Sequence, residues 1–292
     1  RDRLRSRGLG DVYKRQILAL ALAAGFTSCD DFLDREPMST VDPEVYFTQV
    51  SQLESYANQL YENILPSHGN WSYGIFGEDS GTDNQTGATA NNRFAEGLWK
   101  VPNKDDDNWK FEWIYRCNFF LQNVLEKYGT KEDGSENTIM GDLASIKHYI
   151  GEIYFLRAYE YFKRYQKYGD FPIITEPLAD DMEILRESNK RMPRTEVARF
   201  ILDDLKKAYD FLSAKEMATT RINKDAALLL RSRVALFEGT WLKSFEGTAF
   251  VPNGEGWPGA SKDYNKDYQF KSGSIDREIN YLSLIHISEP TR

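Results

Sequence analysis

Apolar side chains recur every three or four positions along much of the chain, the period of a helix with one buried face. Asp42 suits an N-cap, Pro43 the first turn and Glu44 the positive end of a helix dipole. Behind them Val45, Leu53, Tyr56, Leu60 and Ile64 predict a first helix running to Pro66. Phe111, Ile114, Asn118, Leu121 and Val124 or Leu125 share a face of a second helix over 109–128, with Gly129 placed to end it. The clearest stripe is the third: Leu143, Ile146, Ile150, Ile153, Ala158, Tyr161, Phe162 and Tyr165, closed by Gly169 with Pro172 behind it. A short extended piece is expected at 171–175. A fourth helix is expected over 195–212, capped by Thr195, with Val197, Phe200, Ile201, Leu205, Ala208 and Leu212 inward. A fifth over 223–241 carries Ala226, Leu229, Leu230, Val234 and Phe237.

Two stretches break the period. Residues 67–108 are rich in Gly, Asn, Thr and Asp, with Trp71, Tyr73, Phe76, Phe94 and Trp99 scattered through them. Residues 245–270 are rich in Gly, Pro and aromatics. Long aperiodic loops inside a compact domain are usually functional. The fold class is therefore mainly α: an α-helical scaffold of tetratricopeptide-like helix pairs with long irregular loops. Small Ala158, Ala208 and Ala226 sit at contact positions. No clean 34-residue repeat is visible, so any repeats are degenerate.

Composition adds that 292 residues, 41% hydrophobic and 14% aromatic, suffice for a sizeable core. The net charge of −8 argues against nucleic acid, which needs a basic stripe. The ends look foreign to the body. Residues 1–16 (RDRLRSRGLGDVYKRQ) and 282–292 (LSLIHISEPTR) resemble translated sequencing-adapter sequence, the first string reading alternatively as the basic n-region of a signal peptide. Without both strings, 30 basic residues face 42 acidic ones, a net of −12.

Residues 17–28 (ILALALAAGFTS) form an apolar run too short to span a bilayer, which takes ~20 residues, and fit the core of a secretory signal. The run ends on Thr27-Ser28-Cys29. This resembles a bacterial lipobox, with Phe26 where Leu is usual, and marks Cys29 as the lipidated first residue of the mature chain. Acyl chains on that thiol insert at ~0.8 kcal/mol per buried CH₂. Asp30-Asp31 resembles the signal that sends Bacteroidetes lipoproteins to the cell surface. Cys117, on the aromatic second helix, reads as a buried structural thiol.

Four stretches in order resemble the SusD/RagB family of outer-membrane nutrient-binding lipoproteins: SCDDFLDREP at 28–37, EWIYRCNFFL at 112–121, GEIYFLRAYEYFKRYQKYGDFP at 151–172, and DDLKKAYDFL at 203–212 with the Ala-rich helix behind it. The resemblance covers about 29–281. It implies a helical scaffold under an irregular ligand-binding part, a surface location in the outer membrane, and a partner, a SusC-like TonB-dependent transporter on which the protein sits as a lid. It also implies a longer parent whose C-terminal half supplies part of the binding surface.

Sugar rings present apolar C–H faces and a rim of hydroxyls, which aromatic side chains and Asn, Asp, Gln or Arg respectively match. The resemblance places ligand residues in the loop between the first two long helices, where Trp99 and Asn103 lead and Trp71 and Tyr73 follow. Trp257 and Tyr264 in the late loop are weaker candidates, while Trp109 and Trp113 belong to the core. Asp105-Asp106-Asp107 lacks the alternating ligand spacing of a calcium loop and reads as solvated. No phosphate loop, His-Glu-x-x-His or Gly-x-Ser-x-Gly occurs, so neither cofactor nor catalytic centre is expected. The functional expectation is capture of an oligosaccharide or polysaccharide. The alternatives are a peptide- or glycopeptide-capturing member of the same family, a surface glycoside hydrolase, and a scaffold that binds protein through its helices.

Overall fold

The computed structural model of the chain describes residues 46–66, 96–97, 109–214 and 220–288. Seven α-helices are described: α1 Val50–Ile64, α2 Glu112–Tyr128, α3 Leu143–Tyr168, α4 Met182–Ser188, α5 Arg194–Phe211, α6 Lys224–Ser244 and α7 Ile275–Ser288. Two short 3₁₀ helices, Pro258–Ser261 and Asp263–Asn265, punctuate the late loop. Among the described residues there is no strand, only isolated bridges joining Gln49 to Met140 and Phe171 to Met192. The extended piece expected at 171–175 thus reduces to one bridging residue.

Helix α3 is the axis. His148 through Ala158 are buried without interruption, because α1, α2 and α5 all pack on it. Most of these buried positions are apolar, with His148, Glu152 and Arg157 as charged or polar exceptions, which is why its stripe is the easiest to read. Helix α1 runs parallel to it, with Tyr61 against Glu152 and Ile64 against Lys163, and α2 and α5 run antiparallel. Arg157 of α3 meets Asn118 of α2, and Arg164 meets the carbonyl of Lys110. Arg157 also meets Asp204 of α5, while Asp170 just beyond α3 meets the start of α5 at Arg194. Helices α5, α6 and α7 continue the pattern, with Arg194 against Glu238 and Ser232 against His286. Successive helix hairpins give the tetratricopeptide-like architecture.

The first helix starts later than its sequence suggests. Residues 46–48 bend, Phe47 takes φ 60°, and α1 begins at Val50. The Gln52 side chain reaches back to accept the backbone N–H groups of Thr48 and Gln49, donors at the start of α1 that have no helix carbonyl four residues back. Thr195 is no cap either. The preceding Pro193 offers no side-chain acceptor, and the Asp170 carboxylate, 24 positions away, accepts the Arg194 N–H at 2.8 Å. In α6, Leu229 is 64% exposed, while Leu230 and Val234, also read as inward, are buried, with Ala227 beside them. Helix α7 runs unbroken through residue 282, and Leu282 and Ile285 are buried.

Close approach explains Gly151. A Cβ there would lie 2.8 Å from the backbone nitrogen of Leu212 and 3.1 Å from the carbonyl of Ala208. An ordinary helix-interior Gly→Ala change gains up to ~1 kcal/mol from propensity. Here Gly151→Ala forces backbone against backbone, and a loss of roughly 1–3 kcal/mol is expected from overpacking. Urea titration checks the sign: a gain in stability would mean that α3 and α5 separate freely.

Candidate ligand-binding site

The C-terminal end of α3 opens into a cavity of about 830 Å³, within the few-hundred to thousand Å³ range of ligand sites. Gly169, at φ 68°, turns the chain out of α3 and sets Tyr168 and Asp170 on one wall. The segment before α5 brings Arg191, α5 brings its first residue Arg194, α6 brings Trp241, and the late loop closes the far side with Phe250, Trp257, Lys262 and Tyr264.

The floor is a buried polar cluster. Arg194 donates to Glu238 (2.9 Å) and to the Tyr165 hydroxyl (2.9 Å), and Tyr165 donates to Glu238. Burial pushes the Glu238 carboxyl above the usual carboxylate range against the pull of Arg194. The Arg194 guanidinium also lies 4.2 Å from the Trp241 ring centroid, so a cation is held against the indole by a ring quadrupole as well as by charge. Trp241 donates its indole N–H to the carbonyl of Phe250, which ties the helix to the loop.

Asp170 organises the mouth. It accepts the Trp257 indole N–H at 2.8 Å as well as the Arg194 backbone N–H, and burial raises its pKa. Gly259 lies flat on the Trp257 ring, where a Cβ would come within 2.1 Å of it. Trp257 is thereby fixed and 4% exposed, whereas Phe250 (61%) and Tyr264 (41%) stay open to solvent. Open aromatic faces beside fixed donors and acceptors can stack on an apolar ring face and bond its substituents.

A second, smaller cleft of about 310 Å³ lies between the start of α2 and α4, lined by Trp109, Phe111, Ile174 and Leu185 among others. Trp109 packs edge-on against Tyr168 (5.0 Å) and Phe171 (4.8 Å), as its core assignment predicts. Trp113 is also partly buried against the core, and Cys117 is fully buried.

The leading sequence candidates, Trp99, Asn103, Trp71 and Tyr73, lie outside the described residues, as do Cys29 and Asp105 to Asp107. The weaker pair, Trp257 and Tyr264, share the cavity. Sequence reasoning missed Arg191, Arg194 and Trp241; Arg194 meets partners 24 and 44 positions away, and Arg191 one 74 positions away. The one available signal was the Tyr-Gly-Asp-x-Pro run at the end of the longest helix. Among the described residues no group of three or more His, Cys, Asp or Glu is placed to hold a metal, and no helix is long and apolar enough to cross a membrane.

Antiparallel helix hairpins around one enclosed helix, with an aromatic cavity at its end, define a tetratricopeptide-like scaffold. The profile of the SusD-like family, described as starch-binding and associating with the outer membrane, matches residues 31–236, and the chain belongs to that family. SusD-like protein P25 of Formosa agariphila is 26% identical over 234 residues, 73% of this chain and 41% of that protein. SusD-like protein P2 of the same organism is 25% identical over 252 residues, 83% of this chain and 46% of that protein. A SusD-like protein of Bacteroides fragilis with a known crystal structure matches at TM-score 0.47 and 22% identity, over 84% of this chain and 49% of that one. The chain thus spans less than half the length of these curated relatives.

Proposed function

We propose that the protein captures oligosaccharides or polysaccharides at the cell surface and passes them to a SusC-like TonB-dependent transporter, held in the outer membrane by lipid on Cys29. Membership of a family described as starch-binding supports carbohydrate as the ligand. The observation that carries the reading is the cavity at the end of α3, where exposed Tyr264 and Phe250 stand beside Asp170, Gln166 and Arg191. Capture without hydrolysis fits its chemistry. A glycosidase sets two carboxylates across the scissile bond, whereas the described lining offers one, Asp170, already engaged by two N–H donors. Trp99, Asn103, Trp71 and Tyr73 are proposed as further contacts from the segment 67–108.

Calorimetric titration of the whole chain against soluble polysaccharides and host glycans tests the reading, with Tyr264→Ala and Trp99→Ala beside it. Tyr264→Ala is expected to weaken binding about tenfold, roughly 1.4 kcal/mol, with helicity unchanged. Full affinity in Tyr264→Ala with loss in Trp99→Ala would move the site to 67–108. Turnover of any glycan would replace capture with hydrolysis.

A further inference from the structure

The cavity at the end of α3 carries a charge opposite to that of the protein. The chain has a net charge of −8, yet four of the side chains lining this cavity are cationic, Lys167, Arg191, Arg194 and Lys262, and one is acidic, Asp170. Two of these charges are already committed. Arg194 is closed off by Glu238 at 2.8 Å. Asp170 spends its two oxygens on Trp257 and on the Arg194 backbone. Arg191 and Lys262 are different: both are exposed, and neither is closed off in an ion pair, although Arg191 lies near enough to Asp170 to favour its charged form. The exposed Asp263 and Asp267 of the same loop do not line the cavity.

Both cations are held in place by their backbones. Asn265, 4% exposed, donates its side-chain amide to the Arg191 carbonyl at 3.1 Å. The Lys262 N–H closes the first 3₁₀ turn on Gly259 at 3.0 Å. The Arg191 guanidinium sits 4.5 Å from the Trp109 centroid. Stacking occupies a face of the guanidinium and leaves its in-plane N–H fork available. That fork matches a carboxylate or sulfate bidentately, whereas a hydroxyl uses only part of it.

We infer that the sugar taken by this cavity is anionic, carrying a carboxylate or a sulfate ester that Arg191 and Lys262 bond while Tyr264 stacks on the ring. This rests on the glycan-capture reading and narrows its substrate class. A neutral glycan would leave two exposed cations in the cleft with only Asp170 to offset them. An acidic one supplies the missing counter-charge.

The test is affinity electrophoresis of the whole chain through gels containing polygalacturonate, alginate or a sulfated galactan. Each is run beside its carboxyl-reduced or desulfated form, with neutral glucan and mannan gels in parallel. Retention by an acidic glycan is expected to fall at least tenfold when the acid is removed, and by a similar factor in Arg191→Ala/Lys262→Ala with its circular dichroism unchanged. It is also expected to weaken as salt rises from ~50 to ~500 mM, where the screening length shortens severalfold. Which chemically edited partner loses retention separates carboxylate from sulfate. Neutral glycan bound equally by parent and double variant, insensitive to salt, would overturn the anionic inference and leave glycan capture standing. Acidic glycan bound equally by the double variant would overturn the placement in this cavity. Retention in none of the gels would remove both readings.

Discussion

Asp204→Ala is expected to cost roughly 3–5 kcal/mol of folding stability, the penalty for leaving a buried charge without its partner. Asp204 is 1% exposed and Arg157 4%. The two meet in a bidentate pair, Nε to Oδ2 at 2.7 Å and Nη2 to Oδ1 at 2.8 Å. The remaining Arg157 nitrogen donates to Asn118 at 2.8 Å, and Asn118 in turn donates to the carbonyls of Ile174 and Glu176. One chain of bonds therefore pins α5, α3, α2 and the segment leading to α4. Burial works against the Arg157 charge, and the Asp204 carboxylate outweighs it, holding the guanidinium above its ordinary pKa. Removing the carboxylate reverses that balance with no described acid close enough to substitute. Urea denaturation gives the magnitude. Asp204→Ala combined with Arg157→Met is expected to recover much of the loss, because a well-packed apolar pair often does as well as a buried ion pair. A single variant within 1 kcal/mol of the parent would mean that water reaches Arg157 and the network is not closed.

These three residues sit in three of the four stretches that resemble the SusD/RagB family, and their contacts explain why those stretches hang together. The helices themselves were legible: the stripes of α2, α3, α5 and α6 fall on the predicted segments because each buries one face or, for α3, all of them. The polar interior was not. Arg157 and Asp204 interrupt apolar stripes and look like solvent-facing positions until each meets the other across helices, which no local period reveals; Glu160 and Arg164 pair with each other along α3, and their burial is what the sequence hides. Leu229 failed the opposite way, an apolar residue at a plausible spacing that the packing of α6 leaves outside. Helix α4 was invisible because it buries nothing. Of the cavity, the late-loop aromatics Trp257 and Tyr264 could be read. Arg191, Arg194 and Trp241 could not, since only the antiparallel return of α5 and α6 brings them to the end of α3. The resemblance covers scaffold motifs, and those motifs position the cavity without lining most of it.

Above pH 10 the protein is expected to unfold cooperatively, having lost roughly 4 kcal/mol by pH 11. Tyr56, Tyr161 and Tyr165 are 8%, 0% and 1% exposed. Burial raises the pKa of each well above the ordinary 10.0, with Cys117 adding to the effect at Tyr56 and Glu238 at Tyr165. Each hydroxyl has a partner that suits its neutral form: the carbonyls of Arg116 and Ile174, and the Glu238 carboxylate. A group whose folded pKa is raised gives stability that is fully present below its unfolded pKa and lost as pH climbs towards the folded value. The window therefore opens at 10.0, where tyrosines of the unfolded chain begin to ionise and these do not. One pH unit higher, each contributes a loss of about 1.4 kcal/mol, and three together approach the 5–15 kcal/mol that holds a typical domain folded. Tyr61, beside Glu152, and Tyr268, against Thr195, are raised by burial too and push in the same direction. Circular dichroism and tyrosinate absorbance followed together through this window decide the matter. Solvent-exposed tyrosines ionise near pH 10 with helicity intact; the buried rings are expected to add a later, steep rise in tyrosinate that coincides with the loss of helicity. Tyrosinate formation that runs to completion with helicity intact would mean that the aromatic core admits hydroxide, and that α3 is not the enclosed axis its burial makes it.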